Sequence, residues 1–181
     1  MKRTGYLILF RGVGGKTQLP VQALREKLTA AGFENVATYI NSGNAIVRSR
    51  LNRNQVIATI AELCRAQFDF EKAIFARTLA EWDALIARNP FAKAAINAPT
   101  TVHVALLENA PKAEDIERIR ACAVKGEEIK VVGNVAYLHL PHSFGHSKMA
   151  GKFDRWIGVT NTVRNWNTVL KLADLGRVAE I

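Results

Sequence analysis

Cysteine is scarce in this chain, with two in 181 residues. Cys64 and Cys122 lie in helix-patterned stretches without Cys-x-x-Cys or metal-ligand spacing, so a disulfide scaffold is excluded and two reduced thiols are expected. Five prolines and 12 glycines are too few for a collagen-like or low-complexity chain. Long apolar runs are missing as well. The run near the amino end, Tyr6 to Phe10, falls short of the ~7–15 residues of a signal-peptide core. No segment approaches the ~20 apolar residues of a membrane span. A cytoplasmic protein with no membrane partner is therefore expected. Acids are absent before Glu26, where Lys2, Arg3, Arg11, Lys16 and Arg25 accumulate.

With 49% hydrophobic and 23% charged positions, the chain is of globular composition and not disordered. Lys and Arg number 25 against 16 acids, a formal charge of +9. Such a balance favours a polyanionic partner, either a phosphorylated small molecule or nucleic acid. A surface that is simply basic explains the same count. A second basic tract runs from Lys148 to Arg177.

The apolar run Gly5–Arg11 predicts a buried strand, followed by a glycine-rich loop from Gly12 to Leu19. Pro20 suits a first helical turn, Leu24, Leu28 and Ala31 keep helical spacing, and Gly32 supplies the stop. Val36–Asn41 and Ala45–Arg48 read as strands about Ser42-Gly43-Asn44. Asn52 is a candidate cap for a helix carrying Val56, Ile60, Leu63 and Ala66. Lys72–Arg77 completes a βαββαβ order, the ferredoxin-like unit.

The order then repeats. A linking helix, Thr78–Asn89, ends at Asn89-Pro90. Thr101–Leu107 is a strand, Pro111–Ala123 a helix, and Ile129–Val132 with Val135–Leu140 a hairpin about Gly133-Asn134. A helix from Ser147 to Ile157, a strand-like stretch Val159–Val163 and a last helix to Leu175 follow. The predicted class is α+β: two ferredoxin-like βαββαβ units by internal duplication, with an added linking helix and C-terminal helix. The expected domains are 1–77, the first unit, and 78–181, the linking helix with the second unit and last helix.

In each unit, loops converge at one end of the sheet. Arg11, Gly14, Gly15 and Lys16 should lie near Asn41, Ser42 and Asn44. Ser147 and Lys148 should lie near Arg164 and Asn165. Gly14-Gly15-Lys16-Thr17 imitates the tail of a phosphate-binding loop, but the glycine required five positions before Gly15 is Phe10. A looser nest of amides beside Arg11 and Lys16 could still hold an anion. A plain glycine loop and ordinary hairpin chemistry at Gly43-Asn44 explain the same residues. His139, His142 and His146 have zinc-compatible spacing without a carboxylate or thiol among them, so no metal or cofactor is expected. Ser147-Lys148 is a poor nucleophile–base dyad, since neighbours on a helix point about 100° apart. Ser147 as a cap, with Lys148 exposed or meeting an anion, is simpler. Arg164 could hold a phosphate or pair with an acid, with Thr162 a possible cap and Trp166 in a buried stripe. No aromatics suited to RNA stacking stand on the central strands.

Several runs carry a resemblance. Phe10-Arg11-Gly12-Val13-Gly14-Gly15-Lys16, Gly32-Phe33-Glu34-Asn35-Val36 and Thr38-Tyr39-Ile40-Asn41-Ser42-Gly43-Asn44 open the chain. Ser147-Lys148, Thr162 and Arg164-Asn165-Trp166-Asn167-Thr168 close it. Together they resemble the bacterial domain-of-unknown-function family 1697, which implies a duplicated α+β protein and no assigned activity. The residues themselves favour a binding protein for a phosphate-bearing ligand, nucleic acid included. A hydrolase or transferase acting on a phosphorylated substrate and a protein-interaction scaffold are the alternatives, and whether the protein is an enzyme is open.

Overall fold

The computed structural model describes residues 3–14, 17–40 and 43–180. The candidate ligand-binding residues Gly15, Lys16, Asn41 and Ser42 lie outside the described residues. The chain divides into two compact units, Met1–Ala84 with Lys171–Ile181, and Leu85–Leu170.

The first unit is built on an apolar strand, β1 (Thr4–Phe10), buried along almost all its length. α1 (Val21–Ala30) starts after Pro20 and ends at Gly32, whose positive φ turns the next amide, Phe33 N, back to Leu28 O at 3.2 Å. β2 (Glu34–Thr38) and β3 (Asn44–Ser49) follow. Asn52 and Gln55 form a reciprocal capping box that opens α2 (Arg53–Phe68). The buried row of α2 is Val56, Ile60 and Cys64, each four residues from the last. Ala66, expected on that row, is exposed, because the thiol of Cys64 takes the third position. β4 (Ile74–Thr78) completes an antiparallel sheet in the order β2-β3-β1-β4. Tyr6, Ile8 and Phe10 face Leu24, Leu28, Val56 and Ile60 in one core. On the opposite face Leu7 meets the last helix, described below.

α3 (Leu79–Ala87) ends before Asn89, whose side chain accepts a hydrogen bond from Phe91 N at 2.9 Å. α4 (Ala92–Asn97) and a single 3-10 turn, Pro99–Thr101, come next. Neither is expected from sequence, since six residues are too few to display an amphipathic period. The second unit then repeats the first: β5 (Val102–Leu107), α5 (Ala113–Arg120), β6 (Glu128–Val132), β7 (Val135–His139), α6 (Lys148–Trp156) and β8 (Asn161–Asn165). The sheet order is β6-β7-β5-β8. Both orders are those of a ferredoxin-like βαββαβ unit, so the chain is a duplicated α+β protein.

β8 begins at Asn161 and not at Val159, because its pairing with β5 starts at Leu107↔Asn161. α5 is shorter than the apolar pattern suggested, since Lys112 is extended and the chain turns after Arg120. α7 (Trp166–Glu180) runs past Leu175, and its last turns belong to the first unit. There Gly176 admits a close approach. A Cβ on it would stand 3.1 Å from Leu79 Cδ1 and 3.5 Å from Leu7 Cδ1. Asn35 adds a bond to the carbonyl of Ala179 at 2.8 Å. Among the described residues, no helix is long and apolar enough to cross a membrane.

Candidate anion-binding site

At one end of the first sheet, the expected convergence is present for the residues described. Phe10 N donates to Gly43 O at 2.9 Å, and Gly43 packs so closely that a Cβ would come within 2.6 Å of Val13 Cγ2. The polar groups gathered there are largely engaged with each other. Gly14 N donates to Thr17 O at 2.7 Å, and Thr17 N returns to Gly14 O. That pairing turns the Gly14 amide inward instead of offering it to an anion. Asn44 is buried, and its amide nitrogen donates to Tyr39 O at 3.2 Å. Arg11 is half-buried, with its backbone N–H bonded to Ala73 O. Lys72, a cation that no motif singles out, donates to Gly12 O and Thr17 Oγ1, both at 3.2 Å. It holds the loop together across 60 residues of sequence.

In the second unit, Ser147 caps α6 by accepting from Ala150 N at 3.0 Å, and Lys148 beside it is exposed. Asn165 reaches the same side of the sheet. Its amide nitrogen donates to Thr100 O and approaches His103 Nε2 at 3.4 Å, while its oxygen accepts from Asn167 N. Asn165, and not Thr162, is thus the residue that opens α7. His103 is buried, its Nδ1 has no hydrogen-bond partner among the described residues, and Phe144 stacks against its ring at 4.8 Å. Burial pushes the imidazole down to about 4 from 6.5, so it is neutral at physiological pH.

Arg164 does not join Ser147, Lys148 and Asn165. Strand alternation sends its side chain to the other face with Thr162, paired opposite Val104 and Leu106. Its guanidinium donates to Thr162 Oγ1 at 2.7 Å and Val163 O at 2.8 Å. Burial lowers it to about 10, which leaves it charged. Buried Cys64 is likewise pushed up to about 12, an inert thiol rather than a nucleophile. The three closely spaced histidines do not gather. His139 lies against Phe91, while His146 Nδ1 meets Ser143 Oγ. Among the described residues no group of three His, Cys, Asp or Glu could hold a metal.

Free positive charge collects instead at the opposite end of the first sheet. An open cleft of about 420 Å³ is lined by Arg3, Glu34, Arg48, Ser49 and Arg50, and by the turn after α1. Cross-strand register explains the gathering. Arg48 sits between Gly5 on β1 and Glu34 on β2, and Thr4 faces Ser49. One step further along, Arg3 and Arg50 continue the same face. Ser49 Oγ accepts from Leu51 N at 3.1 Å, and Tyr6 Oη donates to Leu51 O at 3.2 Å, which fixes the turn that carries Arg50. Glu34 is engaged by Arg3 at 2.7 Å. The side chains of Arg48 and Arg50 take part in no hydrogen bond or ion pair among the described residues. The trio has no signature along the chain, because Arg3 lies 45 positions before Arg48 and only strand pairing aligns them.

The comparisons with known proteins agree with the architecture. No curated protein matches the sequence. A solved structure described as the conserved bacterial protein SP0830 from Streptococcus pneumoniae is similar, with a TM-score of 0.70 and 23% identity. The match covers 97% of this chain and 99% of that one, and it speaks for the fold alone. Residues 3–137 match the family model described as a protein of unknown function, DUF1697. With three-quarters of its length matched, from the strand that begins at Thr4 into the second hairpin, the chain belongs to the DUF1697 family.

Proposed function

We propose that this is a cytoplasmic binding protein for a phosphate-bearing ligand, received in the cleft lined by Arg3, Arg48 and Arg50. One observation carries the reading. Two guanidinium groups without a partner among the described residues share a concave site whose lining carboxylate, Glu34, is already held by Arg3. Arginine presents five donors in a planar fork, which suits phosphate oxygens, and an unpartnered pair favours an anion. The net charge of +9 supports the same partner class. Two free cysteines suit a reducing compartment. The loop residues Arg11, Gly14, Lys16, Asn44, Lys148 and Asn165 make a weaker case, since most of the described ones are bonded within the fold.

Titration of the full chain with inorganic phosphate at low salt, followed by amide chemical shifts, tests the reading. Saturable shifts centred on residues 3, 34 and 48–51, weakening as salt rises, are expected. Absence of binding in the wild type, or unchanged binding in Arg48→Ala/Arg50→Ala, would overturn it.

A further inference from the structure

The arginine cleft constrains the form of its phosphate, and this inference rests on the reading above. We infer that its ligand is a compact phosphomonoester, a small molecule ending in a terminal phosphate, and not a strand of nucleic acid. Three guanidinium groups approach the cleft from three chain positions: before β1, on β3 and on the turn after β3. A terminal phosphate offers three oxygens to such a ring of donors. A backbone phosphodiester offers only two, because the others bridge to sugars.

Charge points the same way. A phosphomonoester carries about −1.5 to −2 near neutral pH, whereas a diester carries −1. Arg3 is held by a carboxylate of charge −1, so a monoanion gains nothing electrostatically by replacing Glu34 there. A dianion does gain, with Arg48 and Arg50 adding their donors. The lining also lacks what a strand requires. Single strands are bound by exposed aromatic faces along an extended basic groove. Here the lining aromatic is Phe33, buried in the core with 3% exposure and no ring face to offer a base. A volume near 420 Å³ suits a metabolite-sized guest.

The test titrates the full chain with ethyl phosphate, diethyl phosphate and a ten-nucleotide oligothymidine, at one low ionic strength and pH 7.5. Ethyl phosphate is expected to bind about tenfold or more tightly than diethyl phosphate, through the added charge and acceptor. Its affinity should fall about tenfold in Arg48→Ala. Glu34→Gln releases Arg3 and should tighten ethyl phosphate binding severalfold. Equal affinity for the two esters, or tighter binding of the oligonucleotide at the same residues, overturns this inference and leaves a phosphate-binding cleft standing. Weaker ethyl phosphate binding in Glu34→Gln also counts against it. Failure of all three probes to bind the wild type removes the underlying reading itself.

Discussion

The two units share an element order and a strand order, yet they handle their polar residues in opposite ways. In the first, the hairpin glycine Gly43 is wedged against Val13 and Phe10, while at the far end of the sheet half-buried Arg3 and Arg48 and exposed Arg50 line an open cleft. In the second, the equivalent Gly133 meets nothing within 4 Å, whereas a guanidinium and an imidazole are buried in the sheet layers. Duplication therefore conserved the hydrogen-bonded frame. Where side-chain charge is exposed and where it is enclosed was set separately in each copy. An arginine enclosed with its bonds made contributes to folding, and an arginine left open in a cleft contributes to recognition.

The sharpest way to break this contrast is at the paired turns. Gly43→Ala combines a left-handed φ of +74° with an impossible contact to Val13, and should cost about 3 kcal/mol of stability. Gly133→Ala meets only the backbone strain of a φ of +60°, about 1 kcal/mol. Urea midpoints of the two variants measure the difference, and equal losses would contradict the asymmetry.

His103 gives the second unit a histidine-driven pH response, and the first unit contains no histidine. The imidazole is depressed to about 4 in the folded protein against 6.5 when unfolded, because burial disfavours its charged form. Between those values the unfolded chain binds a proton that the native state refuses. Stability is thus fully present above pH 6.5 and declines as pH falls towards 4, by about 3 kcal/mol from this group. Comparing the pH dependence of unfolding in wild type and His103→Gln isolates the contribution. The same slope in both would assign the decline to other groups.

How much of this could be read from sequence differs by feature. Local chemistry was legible. Asn52 and Ser147 cap the helices expected of them, Gly32 stops α1, and both hairpins turn at glycine-asparagine pairs. Those signals act over three or four residues, where backbone geometry leaves few alternatives. Illegible were α4, too short for a period, and the end of α7 beyond Leu175, where Gly176 serves close packing. The candidate site was legible only in its chemistry. Arg11, Gly14 and Asn44 looked available, and hydrogen bonds engage the Gly14 amide and the Asn44 side chain within the loop. Arg3, Arg48 and Arg50 form no motif along the chain, since their adjacency exists only in the register of β1 against β3.

Smaller effects sharpen the contrast further. Arg164→Ala removes the guanidinium bonds to Thr162 Oγ1 and Val163 O, among others, from a buried site and should lower stability by about 2 kcal/mol. Arg48→Ala should stay within about 0.5 kcal/mol of wild type while weakening phosphate binding, a separation that calorimetry and titration together would check. The caps set a reference where the two copies agree. Asn52→Ala and Ser147→Ala should each cost about 1 kcal/mol in thermal unfolding.

Because the last turns of α7 lie over Leu7 and Gly5 and bond to Asn35, the first unit is assembled from both early and late chain. During synthesis, one side of its sheet stays wet until residues 171–180 have left the ribosome, although all four of its strands were made long before. The first unit is therefore translated ahead of the second but closed only when the end of α7 arrives, and a ribosome stalled at residue 100 would display Leu7 to any chaperone at the exit tunnel.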